Sequence, residues 1–269
     1  MCATITRRHF LGSAAALLAL PDTNLYAAPA AEEFPPLPPN LVPFADQPDY
    51  FNLITNSQNL GTAKPTPDEE KVGAQVLAAA PFDCPPVHVA LYFLKVGQGK
   101  WGTGKAPYAR GWPIRYNPVI IEFFHATATN PLDPTQDGDA TYWCAAFVNW
   151  CIARGASKSG NIGSAELAKS THSASSGSFR CWNSIASAPK RGDVVVWQAP
   201  NSAVPCPSDG KLIHAKGHVA FFLGAADNEH ILVVGGNQRL GNPTQHGVTQ
   251  TTISRSYLGG LHSIRSIST

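Results

Sequence analysis

Trp143-Cys144-Ala145-Ala146-Phe147-Val148-Asn149-Trp150-Cys151 is the stretch that decides how the rest of the chain is read. Cys144, Phe147, Val148 and Cys151 fall at i, i+3, i+4 and i+7, one face of a helix turned toward a core. Cys144 then stands in the first turn, where unpaired backbone N–H groups favour a thiolate. A buried core cysteine is the commoner outcome of this spacing, and Cys151, one face further along, fits that structural role. A nucleophilic reading of Cys144 therefore needs a base, and a third group to orient the base.

Both are found downstream. Two β-type runs, residues 218–224 and 230–235, flank Ala225-Ala226-Asp227-Asn228-Glu229 and predict an antiparallel hairpin. Gly217-His218-Val219-Ala220-Phe221 puts an imidazole at the head of an apolar strand, as a base or as a satisfied strand-end histidine. With the turn centred between Asp227 and Asn228, Gly224 pairs with Ile231 and His218 with Asn237, close enough for an amide-to-imidazole hydrogen bond. Gly235-Gly236 invites a bulge that would move Asn237 by one residue, and Gly-Gly-Asn is also ordinary turn chemistry.

Upstream, Thr66-Pro67-Asp68-Glu69 combines an N-cap, a first-turn proline and a capping-box glutamate, predicting a helix to about Ala79. Val87, Leu91 and Leu94 follow Pro85-Pro86 at helical spacing, and Asn117-Pro118 caps a further helix through Ile120, Phe123 and Phe124. The aperiodic stretch Gly97 to Gly111, with Trp101 inside it and Trp112 just after, reads as a loop. Pro189-Lys190-Arg191-Gly192 turns into a strand from Asp193 to Trp197. Helices followed by strands predict an α+β fold.

Composition narrows the function. The 269 residues are 43% hydrophobic, and 20 Lys plus Arg against 18 Asp plus Glu leave a net charge of +2. That charge supports neither a nucleic-acid partner nor an anionic lipid surface. Thr6-Arg7-Arg8-His9-Phe10-Leu11 forms a twin-arginine box, the apolar run Leu11 to Leu20 is too short to span a bilayer, and Ala28 and Ala30 offer a cleavage site. Residues 1–30 are thus expected to be an export signal; the competing reading is a basic terminus followed by a buried helix. Six prolines between Pro35 and Pro48 make residues 31–65 an extended linker or arm, and 66–269 the folded domain. The expected location is the periplasm or the medium, with no stable membrane insertion once the signal is removed, as a monomer.

Loss of the leader, with Cys2, leaves Cys84, Cys144, Cys151, Cys181 and Cys206. If Cys144 is the unpaired one, the other four form two disulfides in any of three connectivities, or stay as reduced thiols.

Trp143-Cys144-Ala145-Ala146-Phe147-Val148, Gly217-His218-Val219 and Gly235-Gly236-Asn237-Gln238 together resemble the CHAP family, the cysteine, histidine-dependent amidohydrolases/peptidases. Asn117-Pro118-Val119-Ile120 and Arg191-Gly192-Asp193-Val194-Val195 extend the resemblance over residues 70–265. It implies a papain-like fold related to the NlpC-type cell-wall peptidases, N-terminal helices and a nucleophile helix packed on an antiparallel sheet. It implies Cys144 as nucleophile, His218 as base, Asn237 as orienting group, and peptidoglycan as substrate, without a cofactor. Many phage-lysin members carry a glutamate two residues before the asparagine; here that place is Gly235.

Some members bind calcium ahead of the cysteine, where this chain has only Asp137 and Asp139, better suited to capping. His214 and His218 with Cys206 could ligate zinc, but Gly217 and the strand pattern argue against the helix such a site would use. No metal is therefore expected. Trp143, Trp112 and parts of the 97–112 loop are the expected groove walls; a non-catalytic module binding glycan or peptide through such aromatics is the alternative function.

Overall fold

Helix caps open the fold where the sequence writes them. Thr66 Oγ1 accepts from Glu69 N at 3.3 Å while Glu69 Oε2 accepts from Thr66 N at 2.7 Å, a closed capping box at the head of α1 (Pro67–Ala78). Pro85 and Pro86 open α2 (Pro86–Gly97), and Asn117 Oδ1 accepts the Val119 N–H at 2.9 Å to start α3 (Pro118–Phe123). α4 (Cys144–Ala156) begins at Cys144 itself. Its expected face is buried, and so is nearly every other residue of the helix, because α2, α3 and the sheet enclose it.

The structure, a computed structural model, describes residues 63–98, 108–112, 115–133, 136–202, 204–207, 213–239 and 246–267, all within the unit Phe34–Thr269. The expected export signal, the arm up to residue 62 and Trp101 lie outside the described residues.

Five antiparallel strands, β1 (Val194–Gln198), β2 (Gly217–Ala225), β3 (His230–Arg239), β4 (His246–Ser254) and β5 (Leu261–Arg265), form one sheet in the order β4-β3-β2-β1-β5. Alternation along the strands splits the apolar side chains in two. Val194, Val196, Val219, Phe221 and Val234 join the helices in the main core. Val195, Trp197, Ala220, Phe222, Ile231, Val233 and Ile264 make a smaller cluster on the other face. In the main core Phe93 of α2 meets Phe123, Phe147 and Trp150 edge-on at 5.0 to 6.2 Å. Each fully buried aromatic of this kind contributes roughly 2 kcal/mol. The result is a mixed α+β fold with helices packed on an antiparallel sheet.

The hairpin is organised by Asp227, whose Oδ1 accepts the N–H groups of Glu229 and His230, each at 2.7 Å. Phe221 pairs with Val234 and Phe222 with Val233, as the expected register requires. A bulge between Phe222 and Gly224 then pairs Gly224 with Leu232, not Ile231. A second irregularity lies where the paired glycines invite it: Gly235 pairs with Thr249, but Gln238 with Gly247. Cys181 and Cys206 form a disulfide, and Cys151 is a buried thiol.

Candidate active site

The site draws on residues from both apolar clusters. Cys144 belongs to the main core. His218 lies against Trp197 of the smaller cluster, ring centroids 5.9 Å apart, with the Tyr257 ring edge-on at 6.3 Å. Both side chains line one cavity of about 820 Å³, although Cys144 is only 5% and His218 only 7% exposed.

α4 starts at this cavity with no side-chain cap from Trp143. Its free first-turn N–H groups, those of Cys144 and Ala145, point at the Cys144 sulfur, as does the N–H of Val219 beside His218. Burial outweighs these donors and pushes the thiol up to about 11. Burial likewise lowers His218 to about 4. At neutral pH the two groups are therefore a neutral thiol and a neutral imidazole.

The amide that reaches His218 is that of Gln238, not Asn237. Gln238 is 6% exposed, its Nε2 lies 3.1 Å from His218 Nε2, and Thr249 Oγ1 donates to its Oε1 at 2.6 Å. The bulge after Gly235 causes the exchange. It turns Asn237 into the left-handed region (φ 57°), where it lines the cavity half-buried without a hydrogen bond to the ring. A Cβ on Gly235 would come within 2.8 Å of Ala220 Cβ and 2.9 Å of Gln238 Nε2. One on Gly236 would overlap the Trp143 indole and come 2.8 Å from Phe147 Cβ. The two glycines thus make room for the helix on one side and for the glutamine on the other.

Trp143 and Trp112 are core residues and not groove walls, which corrects the sequence expectation. Trp143 is fully buried against Phe123 and Phe147, and Trp112 is 5% exposed and packed edge-on against Tyr108. The aromatics at the cavity are Tyr142, 75% exposed, and Tyr257, 45% exposed. Tyr142 could have been found as the residue next to the buried pair Trp143-Cys144; nothing in the sequence around Tyr257 marked it.

Two residues missed by sequence reasoning hold the frame. Arg180, fully buried, donates to the carbonyl and hydroxyl of Ser202 and, at 2.9 Å, to the carbonyl of Lys216, fixing the segment that leads to His218. Thr249, as described, holds the Gln238 amide. Asp139 does not cap a helix, the part expected of it: its Oδ2 accepts the N–H groups of Trp112 at 2.9 Å and Asn117 at 2.7 Å, bracing the segment ahead of α3, and burial raises it to about 7. Cys206 is committed to the disulfide, which removes it from the zinc arrangement considered with His214 and His218.

Residues 136–237, the segment running from the loop before Cys144 to Asn237, match the family model of the CHAP domain. No curated protein and no solved structure matches the chain.

Proposed function

We propose, from the membership of residues 136–237 in the CHAP domain family, a class associated with cysteine-dependent cell-wall hydrolysis, that the protein is a cysteine amidohydrolase acting on peptidoglycan amides. The carrying observation is the shared cavity of Cys144 and His218, with the sulfur under the α4 N-terminus and the ring held by a buried amide. In this reading Cys144 is the nucleophile, His218 the base, and Gln238 takes the orienting part that the motif alone gives to Asn237.

The Gln238 contact decides which imidazole nitrogen works. Nε2 faces the glutamine, so Nδ1 is left for the thiol. To accept the thiol proton Nδ1 must be bare and the ring proton must sit on Nε2, which calls for the Gln238 amide turned over from the orientation described above, its oxygen toward the ring. Its NH₂ then donates to Thr249 Oγ1, which serves as acceptor as readily as donor. The sulfur attacks the amide carbonyl as its proton passes to Nδ1, and the N–H groups of the first turn of α4 can receive the oxyanion. The C–N bond breaks with the proton delivered to the leaving amine, giving a thioacyl enzyme. Water, deprotonated by His218, cleaves the C–S bond and releases the acid. N-acetylmuramoyl-L-alanine amidase and endopeptidase activity both fit this chemistry. Export through the twin-arginine route to the periplasm or beyond would deliver the enzyme to that substrate, on a papain-like framework.

The test is release of soluble muropeptides from purified sacculi by the mature protein beside Cys144→Ala and His218→Ala. Each substitution is expected to lower kcat by at least about 100-fold. Because the base must be neutral, activity should fall on acidification only near the His218 value of about 4 and hold through neutral pH. Binding of sacculi without release, equal in all three proteins, would replace the hydrolase with a binding module.

A further inference from the structure

The cavity is electrically one-sided. Lys216, on the run into β2, and Arg239, at the end of β3, line it, and no described aspartate or glutamate does. Both side chains are exposed. The described ion pairs, Arg115 with Glu69, His125 with Glu122, Lys158 with Asp83 and His230 with Asp227, involve neither of them. The whole chain carries only +2, so this wall is a local feature and not the edge of a general excess. Arg239 stands opposite His246 across β3 and β4, and that imidazole is lowered by burial and then by the Arg239 charge, which is thus felt within the cavity.

Placement gives the two cations a purpose. Lys216 lies two residues before His218, at the entry to β2, and Arg239 directly follows Gln238 at the end of β3, so they flank His218 and Gln238 on neighbouring elements. A substrate with its scissile carbonyl at Cys144 would extend its neighbouring groups toward these side chains. Guanidinium and ammonium groups in no ion pair among the described residues match a carboxylate, which arginine can take through two parallel hydrogen bonds.

We infer that the cleft selects amide substrates bearing a free carboxylate within a residue or two of the scissile bond, with Arg239 and Lys216 as its counter-charges. This rests on the amide-hydrolase reading above and names the substrate class within it. Stem peptides present such carboxylates beside their amide bonds, and amidation converts them to neutral carboxamides of nearly the same shape.

Muramyl peptides synthesised in pairs, identical except for a free or an amidated carboxyl, provide the test with the mature protein. Wild type should show a kcat/KM about fivefold to tenfold higher for the free acid, as two partly exposed charge contacts allow. The preference should shrink below about twofold in Arg239→Gln/Lys216→Gln and survive in Arg239→Lys, and 0.5 M salt should erode it, roughly as screening requires. Equal rates for the two members of each pair, or a preference unchanged in the double variant, would overturn the inference and leave the hydrolase intact. If no peptide is cleaved the hydrolase reading fails, and calorimetric binding of the same pairs to Cys144→Ala still decides the matter. Tighter binding of the acids supports carboxylate selection; equal binding ends it.

Discussion

Asn237 and Gln238 are adjacent amides, and only Gln238 touches the His218 ring. The sequence carries both, along with the glycines that choose between them, but a one-residue bulge has no composition of its own. Cys144 and His218 stood out by position, a cysteine at a helix start and an imidazole heading an apolar strand, although a buried core cysteine and a satisfied strand-end histidine were the bland alternatives; the structure brings both to one cavity. The third group depended on register, which the pattern fixes only as far as the ladder stays regular. The assignment has a direct consequence in rates. Gln238→Ala is expected to lower kcat roughly 100-fold, the low end of what acid–base catalysis contributes, with Thr249→Val following in part. Asn237→Ala should cost under about fivefold, mainly in KM, since its side chain faces the cavity and not the ring. Muropeptide release under saturating and limiting substrate separates the two effects, and the reverse ranking would return the orienting role to Asn237.

At the level of elements, α1 to α4 and β1 to β3 follow from caps, prolines and periodicity read off the chain. β4 and β5 do not, and the sheet order explains why: both are edge strands. Gln250, Thr251 and Thr252 of β4 are polar and largely exposed, and β5 is five residues long with His262 and Ser263 at its centre. Edges need no continuous apolar alternation, and polar edges discourage pairing with other chains, so their signal is weak by construction. The trap with the tryptophans is related: an aromatic beside a nucleophile looks like a groove wall, but Trp143 is what presses α4 onto β3 at Gly236. Gly236→Ala should therefore act as overpacking, costing about 1–3 kcal/mol in urea unfolding. It should also reduce activity, because the clash moves the helix turn that carries Cys144.

For the molecule as a whole, the disulfide matters more than its position suggests. Cys181 directly follows Arg180, whose guanidinium holds the Ser202 and Lys216 carbonyls, and Cys206 lies in the same connection between β1 and β2. One covalent link and one buried cation thus secure the long segment that delivers His218. Closing a loop of 25 residues stabilises the fold by about 3–4 kcal/mol. Cys181→Ser/Cys206→Ser is expected to lower Tm by roughly 10 °C in calorimetry at the scale of a domain this size. A Tm within a degree or two of wild type would mean that Arg180 and the apolar clusters hold the connection without it.

The neutral thiol at Cys144 also bears on how long the protein lasts. Peroxide attacks thiolate, and a sulfur titrating near 11 is ionised in only about one molecule in 10⁴ at pH 7. In the reading proposed above, a nucleophile kept protonated until its substrate arrives accumulates sulfenic and sulfinic lesions slowly, which would suit an exported hydrolase beyond the reach of intracellular reductants.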